Sequence, residues 1–165
     1  MNLIFRMLYI SILSLFRGRL SIGHVHSRLS LRVLPNDLDL NFHMNNGRYL
    51  TLCDLSRIDM FIRTGLMRTM LKRKWMPVIA MHTMHYKKPL GLFERFDLML
   101  EVTHWDEKYF FMNHTFMIED RVVAEGTSKG CLYARGVGVV SPAEVIAAVE
   151  QDNAGRHHAK RDKSS

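Results

Sequence analysis

The chain has 165 residues, 47% of them hydrophobic, and a formal net charge of +7 at pH 7. That length and composition suit a single domain with a buried core and exclude a disordered chain. The first twenty residues and the tail from Arg156 each carry a net +3, which leaves +1 for the body between them. Because a nucleic-acid-binding domain carries its charge on a folded face, we expect no nucleic-acid partner.

The N-terminal segment from Leu3 to Phe16 is predicted to be an amphipathic helix. On a helical wheel Arg6, Ser14 and Arg17 fall on one side and large apolar residues on the other. The stretch without charge, residues 7–16, is about half of the ~20 residues that a membrane span needs. No small-x-small cleavage site follows it, so we expect no cleaved signal peptide. Two placements stay open: peripheral contact of residues 3–16 with an anionic membrane, or packing on the domain itself or a partner subunit.

Polar and apolar residues alternate from His26 to Leu34, which predicts a half-buried strand. A loop rich in Asp and Asn follows, and then an apolar helix from about Asn46 to Thr64, with Gly65 as its C-cap. Polar side chains that lead into a bare helix N-terminus can supply a general base beside an oxyanion site. The same residues are also ordinary turn and cap residues, and their spacing leaves both interpretations open.

Four more strands with short turns follow the helix, in the order 77–87, 96–103, 109–118 and 122–134, and a last helix runs from Ser141 to about Asp152. The organisation predicted is an amphipathic segment at 1–20, a single domain at 21–153 and a basic disordered tail at 154–165. The two cysteines form no Cys-x-x-Cys pair, which suits a reducing, cytoplasmic compartment. A basic cluster is either a solvated face or a lip that contacts the phosphates of coenzyme A; it comprises Arg68, Lys72, Arg73 and Lys74.

The loop carries a recognisable pattern. The spacing Asp37-x-Asp39-x-x-x-His43-x-Asn45-Asn46 resembles hotdog-fold proteins of the 4-hydroxybenzoyl-CoA thioesterase type, and it is also similar to the motif of acyl-ACP thioesterases. With the residues on either side, the region from Leu29 to Leu132 resembles the thioesterase-superfamily-member-6-like proteins. The resemblance implies an α+β hotdog fold, with an antiparallel β-sheet wrapped around a long central helix. It also implies a hydrolase of fatty acid metabolism that cleaves acyl-CoA or acyl-ACP thioesters without a cofactor, as a homodimer or dimer of dimers with active sites between subunits.

The resemblance assigns roles to single residues. Asp39 matches the catalytic aspartate, as general base or as nucleophile. Asn41 and His43 match the Asn-x-His pair of acyl-ACP thioesterases, which would polarise the carbonyl or orient water, and Asp37 would organise the loop. The backbone N–H groups near the helix start would complete the oxyanion site. The residues expected to bind substrate are Asn45, Asn46, Gly47, Tyr49 and Tyr86, with Phe111 beside Tyr86 in the lining of the acyl cleft.

Two departures from the family pattern bear on turnover. Phe42 stands where many relatives have Gly directly before the motif His, and the Glu-Cys pair of acyl-ACP thioesterases has no match near Val78. The alternative function is therefore a non-catalytic acyl- or lipid-binding hotdog protein at a membrane surface. The histidine pairs His24/His26 and His82/His85 lack a metal-ligand spacing, so we expect no metal. Cys53 is expected to be a small core residue.

Overall fold

The computed structural model describes residues 3–161, and the side chains of residues 3–155. The helices are α1 (Leu3–Phe16), α2 (Asn46–Thr64), α3 (Leu66–Arg73) and α4 (Pro142–Arg161). The strands are β1 (His26–Arg32), β2 (Trp75–Tyr86), β3 (Arg95–Trp105), β4 (Phe110–Ile118), β5 (Arg121–Ala134) and β6 (Gly138–Val140). A short 3-10 turn, Pro35–Asp37, leads into the motif loop.

The strands form one antiparallel sheet in the order β1-β3-β4-β5-β2, with β6 paired to the end of β5. Side chains of alternate residues point to the same face of a strand, so Phe96, Leu98 and Leu100 of β3 are all buried on the side that faces α2. Tyr49 and Leu52 of α2 pack on that face in the main core. A sheet curled around one long helix confirms the predicted α+β hotdog fold.

A second core forms where α3, α4 and the ends of β5 and β6 meet. Gly65 ends α2 in the left-handed conformation (φ 87°) and lets the chain turn directly into α3. A Cβ at Gly65 would come within 2.6 Å of the Asn153 side chain of α4, which would have to shift, so the left-handed turn is the main reason for glycine here. The buried apolar residues of this core are Ile22, Leu66, Met70, Trp75, Leu132, Ala134, Val140, Val145, Ala148 and Val149.

Helix α4 continues to Arg161 and does not end near Asp152 as expected. No proline follows Pro142 in the chain, and the lone Gly155 costs only about 1 kcal/mol of helix propensity. The first part of the segment predicted to be a disordered tail is thus helical in its backbone, while residues 162–165 lie outside the described part of the chain. The domain boundaries at 20/21 and 153/154 stay predictions.

Helix α1 packs on the domain through its polar side. Arg6, Ile10 and Ser14 are buried on one stripe, and the stripe is held by ion pairs and hydrogen bonds to Asp37 and Asp59. Most of the large apolar residues of α1 point the other way and are exposed; they are Ile4, Phe5, Met7, Leu8, Tyr9, Ile12, Leu13, Leu15 and Phe16. No helix within residues 3–161 is both long and apolar enough to cross a bilayer.

Strand β2 is an edge strand with an unusual surface. It pairs with β5 on one side only, and most of its twelve residues are exposed. Its exposed apolar side chains include Met76, Val78, Ile79, Met81 and Tyr86. A long edge strand that presents apolar side chains and free backbone groups can pair with another chain.

Candidate active site

The motif loop is closed by the carboxylate of Asp39. Oδ1 of Asp39 accepts hydrogen bonds from the backbone N–H groups of Asn41 (2.8 Å) and His43 (3.4 Å). The backbone N–H of Asp39 donates to the carbonyl of His43 (2.8 Å). No residue within the described range hydrogen-bonds to Oδ2 of Asp39. The side chains of Asn41 and His43 are exposed, and the loop links them to Asp39 through backbone alone. The three predicted catalytic residues therefore share one tight turn and leave a carboxylate oxygen accessible.

The N-terminus of α2 is capped by Asn45, whose Oδ1 accepts from the N–H of Gly47 (2.8 Å). That hydrogen bond occupies one of the two backbone donors expected at the oxyanion site. The N–H of Asn46 has no partner in the part of the chain that the structure describes. Tyr86 donates from its hydroxyl to the carbonyl of Asn46 (3.1 Å) and so joins the end of β2 to the start of α2. Asn46 thus presents the remaining donor at the positive end of the helix dipole.

Tyr49, predicted to bind substrate, and Phe111, predicted to line the acyl cleft, are both set back from the motif loop within one chain. Tyr49 is only 2% exposed and packs edge-to-face on Phe116 (4.9 Å between ring centroids) and on Tyr86 (5.0 Å). Burial raises the pKa of Tyr49 to about 12. Phe111 lies on the outer face of β4, opposite the buried Met112, and its ring stacks on His104 at 4.2 Å. Within one chain, Tyr86 alone of these three aromatic residues lies at the edge of the site.

Asp37 anchors the motif loop to the rest of the domain. It is buried, and Arg6 of α1 donates to its Oδ2 at 2.8 Å while also donating to the carbonyl of Arg32 at 2.8 Å. The same Oδ2 accepts the N–H of Leu34, and the carbonyl of Asp37 accepts the N–H of Asn45. These contacts support the predicted role of Asp37 in organising the loop and tie α1 to it.

The rim of the loop is strongly apolar. Leu40 is 98% exposed and Phe42 is 76% exposed, and His43 bridges to Gly91, next to the exposed Leu92 and Phe93. Phe42 has a φ of 57°, the left-handed region in which glycine is favoured. The backbone thus explains why glycine suits this position in relatives that resemble the chain. Contiguous exposed apolar side chains mark a surface that a partner or ligand covers.

A second group of polar side chains, here called the polar cluster, lies beneath the middle of α2 and reaches strands β2, β4 and β5. Arg57 is buried and its Nη1 forms an ion pair with Asp54, while its Nη2 donates to Nδ1 of His82 at 3.3 Å. His114 hydrogen-bonds through Nε2 to Ser128 at 2.9 Å. The members of the polar cluster are Cys53, Ser56, Arg57, His82, His114 and Ser128.

The polar cluster was not predictable from the sequence, because its members come from distant parts of the chain and share no local pattern. A single signal was present: Arg57 is a charged residue on an apolar face of the central helix. Burial, with the nearby charge of Arg57, lowers the pKa of His114 to about 3 and also lowers the pKa of His82. Both rings are therefore neutral at pH 7. Burial also raises the pKa of the Cys53 thiol to about 12, so it is a core thiol and not a nucleophile.

Cys53, His82 and His114 have ligand atoms within 4.8 Å of one another, which raises the question of a metal ion. Ser56 donates its proton to the carbonyl of Cys53 (2.7 Å), so it can only accept from Nδ1–H of His114 (3.4 Å). Both nitrogens of His114 are then used within the protein, and Nδ1 of His82 faces a guanidinium. These residues fit a hydrogen-bonded network better than a cation site.

An apolar cleft adjoins the polar cluster, between the C-terminal half of α2 and the sheet. The room inside it in a single chain is small, a cavity volume of about 40 Å³. Its walls are almost entirely apolar, and Arg57 is the charged residue that lines it. The mouth is formed by the exposed Val78 and Ile79 of β2. The other walls include Met60, Phe61, Val102, Met112, Gly130 and Leu132. The apolar lining suits an acyl chain, but the cavity within a single chain is too small to hold one.

The basic cluster lies on α3 and the residue that follows it. Lys72 pairs with Asp152 of α4 at 2.6 Å, and Arg73 stacks over Trp75 at 5.3 Å. Arg68 and Lys74 are exposed. Two of the four cations therefore stabilise the contact between α3, α4 and β2, and the other two remain available to a ligand.

Three comparisons place the chain among known proteins. A protein called THEM6 from Xenopus laevis is 40% identical over 85 residues, which are 52% of this chain and 41% of that relative. The chain thus matches less than half the length of that relative. The solved structure of YbaW, a probable thioesterase from Escherichia coli, superposes with a TM-score of 0.69 at 19% identity over 75% of this chain and 96% of that one.

A hypothetical protein from Staphylococcus aureus, solved in complex with CoA, superposes with a TM-score of 0.66 at 14% identity, over 78% of this chain and 83% of that one. The structural likenesses show the fold. The profile of the Thioesterase-like superfamily matches residues 33–149, well over half of the chain. The resemblance inferred from the motif loop is confirmed, and the chain belongs to the Thioesterase-like superfamily.

Proposed function

We propose that the protein hydrolyses an acyl thioester, with acyl-CoA as its substrate class, and that Asp39 is the catalytic carboxylate. The observation that carries the proposal is the Asp39 turn, which holds one carboxylate oxygen and leaves the other accessible directly before a helix N-terminus with a free N–H at Asn46. The family match and the CoA bound in a structural neighbour support the substrate class. The alternative to acyl-CoA is a substrate whose acyl group is attached to an acyl carrier protein.

Asp39 would act in one of two ways. As general base it takes a proton from water while the water oxygen attacks the thioester carbon, the C–S bond breaks, and the proton passes to the departing thiolate. As nucleophile its oxygen attacks the thioester carbon and the C–S bond breaks to release the thiolate; water then hydrolyses the anhydride, which frees the acid, regenerates the Asp39 carboxylate and leaves a proton for the thiolate. In both cases negative charge develops on the thioester oxygen, and the N–H of Asn46, aided by the helix dipole, would stabilise it. The exposed side chains of Asn41 and His43 would orient the water or the carbonyl.

A homodimer formed through β2 would complete the site. Antiparallel pairing of two β2 strands about a two-fold axis sets the first half of one strand against the second half of the other. The cleft mouth at Val78 lies in the first half, and Tyr86, which contacts Asn46, lies at the end of the second. The cleft of one protomer would then lie beside the partner's Asn46. The exposed apolar surface of β2 and of the loop rim supports this arrangement.

The first test is release of free thiol from short, medium and long acyl-CoAs and from acyl-ACP, by wild type and by Asp39→Asn. We expect turnover by wild type and a loss of at least about a hundredfold in the variant, because the general base or nucleophile is gone. Asp97→Asn, on the interior strand β3, is the matched control. Full turnover by Asp39→Asn would refute the role of Asp39.

A second function has its own support: an acyl- or lipid-binding protein without turnover, held at a membrane by α1. The polar side of α1 is occupied by the domain, so its apolar side, with Phe16 84% exposed, faces outward. The groove beside α1 carries Arg28, Arg32 and Arg95 but also Glu94, Asp97 and Glu119, so the support for membrane contact comes from the apolar side of α1. Binding of acyl-CoA with no thiol release from any thioester would favour this function. A cytoplasmic location with peripheral membrane contact fits either function and stays a prediction.

Membrane contact is tested by co-sedimentation with vesicles that contain anionic lipid. Phe5→Gln and Phe16→Gln together should reduce bound protein by roughly tenfold, because two exposed aromatic side chains no longer enter the interface. Leu71→Gln, which removes an exposed apolar side chain of α3, is the control and should bind like wild type. Equal sedimentation of all three proteins would rule out α1 as the membrane contact. Deletion of α1 is a poorer test because it would also expose Asp37 and Asp59.

A further inference from the structure

A buried ion pair joins helix α1 to the start of the motif loop. Nη2 of Arg6 donates to Oδ2 of Asp37 and to the carbonyl of Arg32, each at 2.8 Å. The side chains of Arg6 and Asp37 are only 7% and 3% exposed. Water screens a pair at that depth only weakly, and the loss of either partner leaves an uncompensated buried charge. Arg6 therefore helps to determine where Asp37 lies.

Asp37 in turn ties together the two ends of the loop that carries the proposed catalytic carboxylate. The carbonyl of Asp37 accepts the N–H of Asn45 (2.8 Å), the residue that caps α2. That hydrogen bond closes residues 37–45 into one loop, so the position of Asp39 and the start of α2 both depend on Asp37. Arg6 thus reaches the N-terminus of α2 through only two residues, Asp37 and Asn45.

A second arginine holds the other end of α1 and gives a comparison within the same molecule. Arg17, which directly follows α1, donates to Oδ1 of Asp59 on α2 (3.0 Å) and to the carbonyl of Arg28 (2.6 Å). Arg6 and Arg17 thus make the same two kinds of bond, one to a buried carboxylate and one to a carbonyl of β1. Asp59 lies in the fourth turn of α2, about 20 Å along the helix axis from its N-terminus. Arg17 therefore holds α1 far from the motif loop, and Arg6 holds it at the loop.

We propose that Arg6 is a positioning residue for the active site, and that the site keeps its geometry only while α1 is docked through Arg6. Arg6 touches no reacting atom; it holds Asp37, and Asp37 holds the Asp39 loop and the N-terminus of α2. A misplacement of about 1 Å in an active site can cost roughly a hundredfold in rate. Release of α1 from Asp37 would then lower turnover while the sheet and the core stay folded. The proposal rests on the proposed function for its activity measurement, whereas its measurement of loop order does not.

Loop order is tested by amide hydrogen exchange of the whole protein, followed by mass spectrometry. Arg6→Gln removes the charge that holds Asp37. We expect exchange over residues 38–48 to become at least about tenfold faster, because that segment loses its anchor and opens more often. Arg17→Gln breaks the equivalent bonds away from the loop and is the matched control. It should leave exchange over 38–48 within about twofold of wild type.

Activity is measured as release of free thiol from acyl-CoA by the same proteins. For Arg6→Gln we expect kcat to fall at least about tenfold and KM to stay within about threefold, because the displaced carboxylate and helix N-terminus act in the transition state. Arg6→Lys restores the charge and should recover part of the loss. Arg17→Gln should keep the wild-type kcat. A purely structural role of Arg6 would instead lower the activity of both arginine variants in proportion to their loss of stability in urea.

Three results would overturn the proposal: wild-type exchange over 38–48 in Arg6→Gln, equally fast exchange of that segment in Arg17→Gln, or full kcat in a variant whose loop exchanges faster. If Arg6→Gln does not fold, Arg6→Lys replaces it. A lysine ammonium lacks the planar fork of the guanidinium, so exchange over 38–48 should still quicken, by a smaller factor, and unchanged exchange would overturn the proposal. Absence of thiol release by wild type would refute the proposed hydrolysis, and the exchange measurement would still decide whether Arg6 positions the loop.

Discussion

At the scale of single residues, the buried His114 makes folding sensitive to acid. Its pKa is about 3 in the folded protein and 6.5 when unperturbed, so between these values the unfolded chain binds a proton that the folded chain does not. Stability is therefore fully present above pH 6.5 and falls as the pH falls, by about 1.4 kcal/mol per pH unit. His82, whose pKa is also lowered by burial, adds to the same slope.

His114→Gln should flatten this dependence, because Gln can still hydrogen-bond to Ser128 but does not titrate. The measurement is the free energy of unfolding in urea at pH 7, 6 and 5. His85→Gln, at an exposed position on β2, is the control and should keep the wild-type slope. If the His114 variant loses stability with falling pH as steeply as wild type does, another group governs the acid sensitivity.

Residue roles were predictable where they depend on neighbours in sequence. The Asp39 turn and the Asn45 cap close over two to four residues, and a local pattern is enough to recognise them. The burial of Tyr49 depends on Phe116, and the contact of Arg57 with His82 joins positions 25 residues apart. Spacing along one helix or strand carries no information about such contacts.

At the scale of elements, Asp59 holds α1, α2 and β1 together. Its carboxylate is fully buried and accepts from Ser14 of α1 (2.7 Å), from Ser27 of β1, from Arg17 (3.0 Å) and from Arg63 (3.2 Å). The helical wheel correctly divided α1 into a polar and an apolar side. The side of α1 that faces inward depends on the buried carboxylates of Asp37 and Asp59. A helical wheel of α1 gives no information about the burial of those two residues. The apolar side is therefore left outward.

Asp59→Asn should destabilise the fold by about 3–5 kcal/mol, because it leaves two arginines beside a buried site without their counter-charge. The free energy of unfolding in urea measures the loss, and proteolysis should cut first near α1, which the change undocks. Asp97→Asn, whose partner Arg28 is mostly exposed, is the control and should cost no more than about 1 kcal/mol. Equal losses in the two variants would mean that Asp59 does not anchor α1.

At the scale of the whole molecule, the fold was predictable and the assembly was not. Alternating strands, short turns and a helix apolar around most of its circumference leave few arrangements besides a sheet curled around that helix. The same sequence patterns do not predict which surfaces of the folded domain are exposed. The pattern of β2 gives no sign that it ends up at an edge, because the order of strands depends on pairings between β2 and β5 across the chain. An apolar edge strand of this kind supports the proposed homodimer, in which a second copy would cover it.

Met81 tests that assembly, because it is half-exposed near the middle of β2, where a two-fold axis would bring two copies together. Met81→Lys places two like charges at this axis and should convert a dimer into a monomer. Sedimentation velocity measures the change in mass, and thiol release should fall at least about tenfold in parallel, since each proposed site uses the partner's cleft. Leu71→Lys, an equivalent change on the exposed face of α3, should alter neither. A monomeric Met81→Lys protein that keeps full turnover would place the whole site within one chain, and a variant that stays dimeric would place the interface away from β2.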